Sequence, residues 1–352
     1  MRAVVKHCGK NTKIVSFFVF SKYCESALSS YKIKNIKKYF MRWRGVIMEV
    51  ITRDFFLFLS KSSILNRLAR NWGSSVATGK IIGGKDFESS IPIIRKLNEQ
   101  GLTVTVDHLG EFVDSREVAR ERTQECIRAI QLIAQEKLES HVSLKMTSLG
   151  LDIDLDLVRE NMTGILDTAE QHQVMVTIDM EDEVRCQKTL DLFKEFRQRY
   201  EYVSTVLQAY LYRTEQDLEE LNPYKPFFRL VKGAYKESPQ VAFPDKKDVD
   251  ENYKKLIKKQ LLSGHYTAIA THDDKMIDFT KEIAREHQIG KDRFEFQMLY
   301  GMRNKTQLEL VKEGYNMRVY LPYGDDWYGY FMRRLAERPA NIAFAFKGMT
   351  KK

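Results

Sequence analysis

TVTVDHLG, residues 103–110, leads into SREVARERTQECIRAIQLIAQEKL (115–138) and then HVSLKMTSLG (141–150). The outer two segments are short, rich in β-branched residues and closed by glycine. The middle one places apolar residues three and four apart, as one face of a helix requires. Strand, amphipathic helix and strand in that order make a βαβ unit with parallel strands. The rhythm recurs. VMVTIDME (174–181), VSTVLQAYL (203–211), FFRLVKGAY (227–235), TAIATHD (267–273), FEFQMLYG (294–301) and NMRVYLPYG (316–324) read as further strands. Helical segments such as EVRCQKTLDLFKEFRQRY and DKMIDFTKEIAREHQ lie between them. Eight units in about 250 residues match a closed barrel. The expected fold is therefore α/β, a TIM-like (β/α)8 barrel over residues 101–352. An open doubly wound sheet is the alternative, but no GxGxxG follows any strand, which speaks against a dinucleotide-binding Rossmann domain.

Ahead of the barrel, residues 48–100 read as an N-terminal helical arm. DFFLFLSKSSILNRLARNW has helical spacing, and DFESSIPIIRKLNEQG opens on an acidic cap and stops at Gly101. Residues 1–47 form a basic leader with no regular period. The whole chain has 57 Lys and Arg against 48 Asp and Glu, but 11 of the basic residues and a single acidic one, Glu25, lie in this leader. The remainder is close to charge balance, so the excess of +9 belongs to the leader and no nucleic-acid partner is expected of the folded body. The leader is expected to be disordered or not translated. Translation starting at Met48 would account for it, since Arg44-Gly45-Val46-Ile47 can be encoded by purine-rich codons that resemble a ribosome-binding site. A native N-terminal peptide beginning upstream of Met48 would refute this.

Four cysteines, Cys8, Cys24, Cys126 and Cys186, show neither metal-ligand spacing nor a disulfide framework. No run approaches the roughly 18 apolar residues of a membrane span. A cytoplasmic protein is expected, with peripheral contact at the inner face of the cell membrane left open.

In a barrel of this kind, chemistry gathers at the C-terminal ends of the strands. Here those ends are polar. They carry Asp107, His108 and Glu111; Lys145; Asp179, Met180 and Glu181; Gln208 and Tyr210; Arg229, Lys232, Gly233, Ala234 and Tyr235; Thr271, His272 and Asp273; Gln297; and Arg318 and Tyr320. Buried charges must be paired or must serve a ligand. One reading is a ring of salt bridges around the mouth. The other is that Lys145, Arg229 and Lys232 bring positive charge to one face, to hold a phosphate or carboxylate. Gly233 would let the backbone approach such a ligand. No His, Cys and Asp set has metal-ligand spacing, so no catalytic metal is expected. The last strand runs into YGDDWYGYFMRRLAER (323–338), where Asp325 or Asp326 can cap a helix. Tyr330, Arg333, Arg334 and Glu337 fall on one face of that helix. This face is either a solvated ladder or a two-guanidinium clamp for a carboxylate over the barrel mouth.

Taken together, RVYLPYG followed by WxxYxxRRxxE, with RLVKGAY, TID, VLQAY and ATHD, resembles the proline dehydrogenase family, specifically its single-function bacterial enzymes, over about residues 50 to 350. The resemblance implies a distorted (β/α)8 barrel with FAD at its C-terminal face and L-proline between the flavin and the last helix. It implies that Arg333 and Arg334 grip the proline carboxylate, that Lys145 and Asp179 sit near the ring nitrogen, and that Tyr235, Tyr320 and Tyr330 wall the pocket. Met180, Gln208, Lys232, Gly233, Ala234, Thr271 and His272 would contact FAD. Arg229 would lie near the flavin N5, making it and Asp179 the catalytic pair, and Glu111 would be a gate across the mouth. The product would be Δ1-pyrroline-5-carboxylate, the first step from proline to glutamate, with a membrane quinone as electron acceptor. A separate pyrroline-5-carboxylate dehydrogenase would perform the second oxidation. Hydroxyproline is a competing substrate, although Tyr320 would crowd a hydroxylated ring. From outside this class, a strand lysine such as Lys145 is also how aldolase-like Schiff-base lyases work on a TIM barrel. A basic arm binding anionic membrane or nucleic acid, with the barrel as scaffold, is a third reading.

Overall fold

The computed structural model describes residues 82–225, 227–330 and 332. The leader, most of the expected arm, and Arg333, Arg334 and Glu337 lie outside them.

The eight strands run β1 (Thr103–His108), β2 (Ser140–Lys145), β3 (Val176–Asp179), β4 (Val203–Gln208), β5 (Phe228–Val231), β6 (Thr267–Ala270), β7 (Phe294–Leu299) and β8 (Asn316–Tyr323). Each is parallel to its neighbours in sequence order, and β8 pairs with β1 to close the barrel. This closes off the open-sheet alternative. Each expected strand is found, and most stop short of the apolar run that announced them. Lys232–Tyr235 lie beyond β5, and Met146–Leu149 leave β2 as a 3-10 turn.

Helices α1 (Phe87–Asn98), α2 (Arg116–Gln135), α3 (Leu155–His172), α4 (Glu183–Arg197), α5 (Thr214–Leu221), α6 (Lys246–Leu262), α7 (Asp274–Glu286) and α8 (Asn304–Lys312) surround the barrel. Their starts follow local chemistry. Asp86 caps α1 in a reciprocal capping box with Ser89, Ser115 caps α2, and Asp154 caps α3. Gly101, at φ +76°, makes the turn into β1. Among the described residues no helix is long and apolar enough to cross a membrane.

The strands sort their residues by parity. On β1, Val104 and Val106 join the hydrophobic core with Ile94, Ala129, Ile130 and Ile133 of the flanking helices. On β2, β3 and β7 the same outward role falls to Val142 and Leu144, to Val176 and Ile178, and to Phe294, Phe296 and Met298. The alternate residues turn into the barrel, and many of them are polar. Bonds between strands that are not neighbours show this, because such bonds must cross the lumen. Arg229 on β5 donates to Ser143 on β2 at 3.1 Å and, through Nε, to Gln297 on β7 at 2.6 Å. Deeper in the barrel Arg318 grips Glu295 with two bonds, 2.7 and 3.1 Å, and donates to the carbonyl of Val104 at 2.8 Å. An apolar jacket thus surrounds a hydrogen-bonded polar axis, with small or apolar residues such as Val206, Ala268 and Ala270 beside it on the inner face.

Arg318→Leu tests the axis. It leaves the Glu295 carboxylate, 1% exposed, without its cation. Urea unfolding should show a loss of about 3–5 kcal/mol.

Candidate functional site at the barrel mouth

Five strand ends converge above that axis. Lys145 Nζ lies 3.0 and 2.9 Å from the two oxygens of Asp107 and 4.0 Å from Asp179 Oδ2. Asp179 accepts from Ser143 Oγ at 2.8 Å and from Tyr320 Oη at 2.7 Å, and forms a short ion pair with Arg229 Nη1. The Arg229 guanidinium also sits 5.2 Å over the Tyr320 ring. Parallel register sets this up, since Lys145 lies opposite Asp179 across β2–β3 and Tyr320 opposite Leu299 across β7–β8.

The electrostatics follow from burial and pairing. Burial alone would favour the neutral Lys145 amine, but Asp107, Asp179 and Glu111 together hold its pKa well above the ordinary lysine value. Burial, then the Asp107 and Asp179 charges, push the Tyr320 phenol well up, so it stays a proton donor to Asp179. Burial likewise raises Tyr235, helped by Glu111 and Glu181. Burial lifts Glu181 to about 7 against the opposing pull of its bonds from Thr147.

Two expectations are corrected here. Lys145 is held between the Asp107 and Asp179 carboxylates, which favour its ammonium form and so oppose the free lone pair that Schiff-base chemistry needs. Nor do Lys145, Arg229 and Lys232 form one positive face, because each is matched by carboxylates. Lys232 Nζ is held by Asp250 and, at 2.6 Å, by Asp273. The salt-bridge reading of the mouth describes these three cations.

The remaining sequence-predicted residues are placed as follows. Gly233 has φ +111°, and a Cβ there would sit 2.1 Å from the Tyr210 ring, so a neighbouring aromatic already requires glycine at this position. Ala234 follows it, exposed, and Tyr235 packs half-buried against the core. Met180 is buried within the core behind β3. Thr271 is buried, and its hydroxyl accepts from Asp273 N at 3.1 Å. His272 Nε2 accepts from Leu299 N at 3.0 Å, tying the ends of β6 and β7. Tyr330 is buried in the turn of helix after β8, and Glu111 is half-buried in the loop after β1. Gln208 ends β4 buried, and its Oε1 has no hydrogen-bond partner among the described residues. An acceptor left so at the mouth suits a bound group that brings a donor. The guanidinium clamp, Arg333 and Arg334, lies outside the described residues.

Asp107, Ser143, Glu295 and Gln297 are as integral as any of these. The signal for Ser143 and Glu295 is parity. Each precedes an inward polar residue, Lys145 and Gln297, by two positions on the same strand face.

Comparison with known proteins adds an independent line. A family profile described as proline dehydrogenase matches residues 91–346. The chain is 79% identical over 303 residues to proline dehydrogenase 2 of Bacillus subtilis, covering 86% of this chain and all of that one. It is 50% identical over 300 residues to proline dehydrogenase 1 of the same organism, covering 85% and 99%. Its fold is similar to a crystal structure of proline utilization A from Bdellovibrio bacteriovorus inactivated by N-propargylglycine, with a TM-score of 0.73 at 24% identity. That similarity spans 95% of this chain and 42% of the larger one.

Two outcomes are expected at the mouth. The folded protein binds the Glu181 proton more tightly than the unfolded chain, whose carboxyl has the ordinary value of 4.5. Stability should therefore fall as pH rises from 4.5 to about 7 and level off above, and Glu181→Gln should remove that slope in pH-dependent denaturation. Gly233→Ala, strained in φ and crowded by Tyr210, should lower unfolding stability by about 1–3 kcal/mol.

Proposed function

Since the chain belongs to the proline dehydrogenase family, we propose that the barrel mouth binds FAD and oxidises L-proline to Δ1-pyrroline-5-carboxylate. The observation that carries this reading is the set of Lys145, Asp107, Asp179, Arg229 and Tyr320, fixed by bonds of 2.7 to 4.0 Å and short ion pairing at the ends of five strands. The site's features suit the cofactor: an unbonded buried acceptor at Gln208, and an exposed Ala234 in the loop that follows β5. Bound FAD supplies the hydride acceptor.

The chain's own residues hold and bias the substrate. Arg333 and Arg334 grip the carboxylate, a geometry two guanidiniums serve well. The amine must be neutral for its lone pair to assist departure of the hydride. Asp107 and Asp179 cancel Lys145 and Arg229, so the positive excess that disfavours the protonated amine comes from the Arg333 and Arg334 pair. Lys145 fixes the orientation of Asp107 and Asp179 near the substrate nitrogen. Arg229, held by Asp179 and Gln297, would set a fixed positive charge toward bound FAD, which would favour its reduced form. Tyr235, Tyr320 and Tyr330 wall the ring and exclude water, and Glu111 gates the entrance. Met180, Gln208, Lys232, Gly233, Ala234, Thr271 and His272 surround the cofactor, Lys232 within its two carboxylates. A quinone takes the electrons, at a peripheral contact with the membrane, and a separate pyrroline-5-carboxylate dehydrogenase consumes the product.

Anaerobic titration with L-proline, followed by flavin absorbance, is the direct test. Purified protein should be yellow and should bleach on adding proline. Folded protein that takes up no FAD and shows no proline-dependent bleaching overturns the reading. Arg333→Met should raise the KM for proline roughly a hundredfold with FAD still bound; an unchanged KM removes the clamp.

A further inference from the structure

The loop between β1 and α2 carries Glu111, and the two amides that follow it hang on one residue of the next loop. Phe112 N donates to Thr147 Oγ1 at 3.2 Å, and Val113 N donates to Thr147 O at 3.3 Å. Thr147 is fully buried and sits on the equally buried carboxylate of Glu181. Its N donates to Glu181 Oε1 at 3.1 Å and its hydroxyl to Oε2 at 2.5 Å. An amide N–H only donates, so the Thr147 hydroxyl accepts from Phe112 and keeps its own hydrogen for the ionised Glu181 carboxylate.

The loop is held out of a relaxed shape. Phe112 has φ +57°, a left-handed conformation that a bulky residue adopts only under constraint. Its ring is 45% exposed, with the Arg185 guanidinium 5.0 Å above it. Arg185 is in turn fixed by Asp152 at 2.9 Å and by Asp182. Anchors from the β2–α3 and β3–α4 segments thus converge on the residue next to Glu111. Glu111 lies three residues past the end of β1, the strand whose Asp107 holds Lys145 at the mouth, and its charge adds to those that raise the pKa values of Lys145 and Tyr235.

We propose that Thr147, seated on Glu181, is the positioning residue that fixes Glu111 at the barrel mouth and so sets how tightly substrate is held. The inference rests on Glu111 being the gate, as proposed above. Thr147 touches neither substrate nor cofactor in this scheme. Its effect passes through the loop, so it should appear in KM and vanish when Glu111 is gone.

The test is steady-state proline oxidation by the FAD-loaded enzyme, with hydrogen exchange read at Phe112 and Val113. Thr147→Val, nearly the same shape without the oxygen, should raise the KM for proline about tenfold with kcat within about twofold, the loss of one charge-supported hydrogen bond. Thr147→Ser, which keeps the oxygen, should restore KM. In a Glu111→Ala background, Thr147→Val should add nothing to KM, and in the otherwise wild-type chain it should speed exchange at the Phe112 amide. An equal rise in KM in both backgrounds, or a fall in kcat at unchanged KM, overturns the proposal. Rapid exchange at Phe112 in the wild type overturns the clamp alone. A wild-type KM in Glu111→Ala overturns the gate reading and this inference with it.

Discussion

A guanidinium on β5 and a carboxylate on β3 meet inside the barrel, and most of what surrounds them is arranged by that meeting. Arg229 is 5% exposed, so its charge has left water. A buried ion pair is tolerable only when its remaining donors and acceptors are met. Ser143 and Gln297 serve Arg229, while Ser143, Tyr320 and, more distantly, Lys145 serve Asp179. Gln297 is oriented in its turn. Its amide nitrogen donates to Glu295 at 2.5 Å, which leaves its oxygen toward Arg229. Glu295 is neutralised by Arg318. Three cations and three carboxylates along one axis, Arg318 with Glu295, Arg229 with Asp179, and Lys145 with Asp107, leave the lumen near neutrality.

Barrels of this architecture usually fill the lumen with branched aliphatic side chains. This one keeps its larger apolar side chains mostly on the outer face of the strands and builds a polar frame in the lumen. A frame of this kind holds side chains at fixed positions without loop contributions. That suits the proposed reaction, in which an amino acid has to be held in one orientation. It also explains why the cations at the mouth carry matched carboxylates. Their pairing fixes direction and leaves Lys145, Arg229 and Lys232 with no net attraction for an anion.

The barrel was legible because eight short β-rich runs alternate with amphipathic helical segments, and because outward residues such as Val104, Val142 and Ile178 are strongly apolar. Charges set in those runs, Lys145 and Arg229 above all, marked the lumen. Partnership was harder to read. Lys232 finds Asp250 and Asp273 on two later segments, a match that only the closed fold brings about, so the sequence suggested a free cation. Gly233 looked like a ligand-approach glycine, and only the position of the Tyr210 ring shows another demand on it. The left-handed turn at Phe112 leaves no trace in composition, since a phenylalanine gives no local reason for it and Thr147 lies 35 residues away.

The most direct test of the central interaction is a double-mutant cycle on Arg229 and Asp179, read by urea unfolding. Arg229→Met and Asp179→Asn should each lose about 3–5 kcal/mol, because each leaves the other charge buried alone. The double variant should lose far less than their sum. Losses that add to within about 0.5 kcal/mol would contradict the view that this pair organises the barrel.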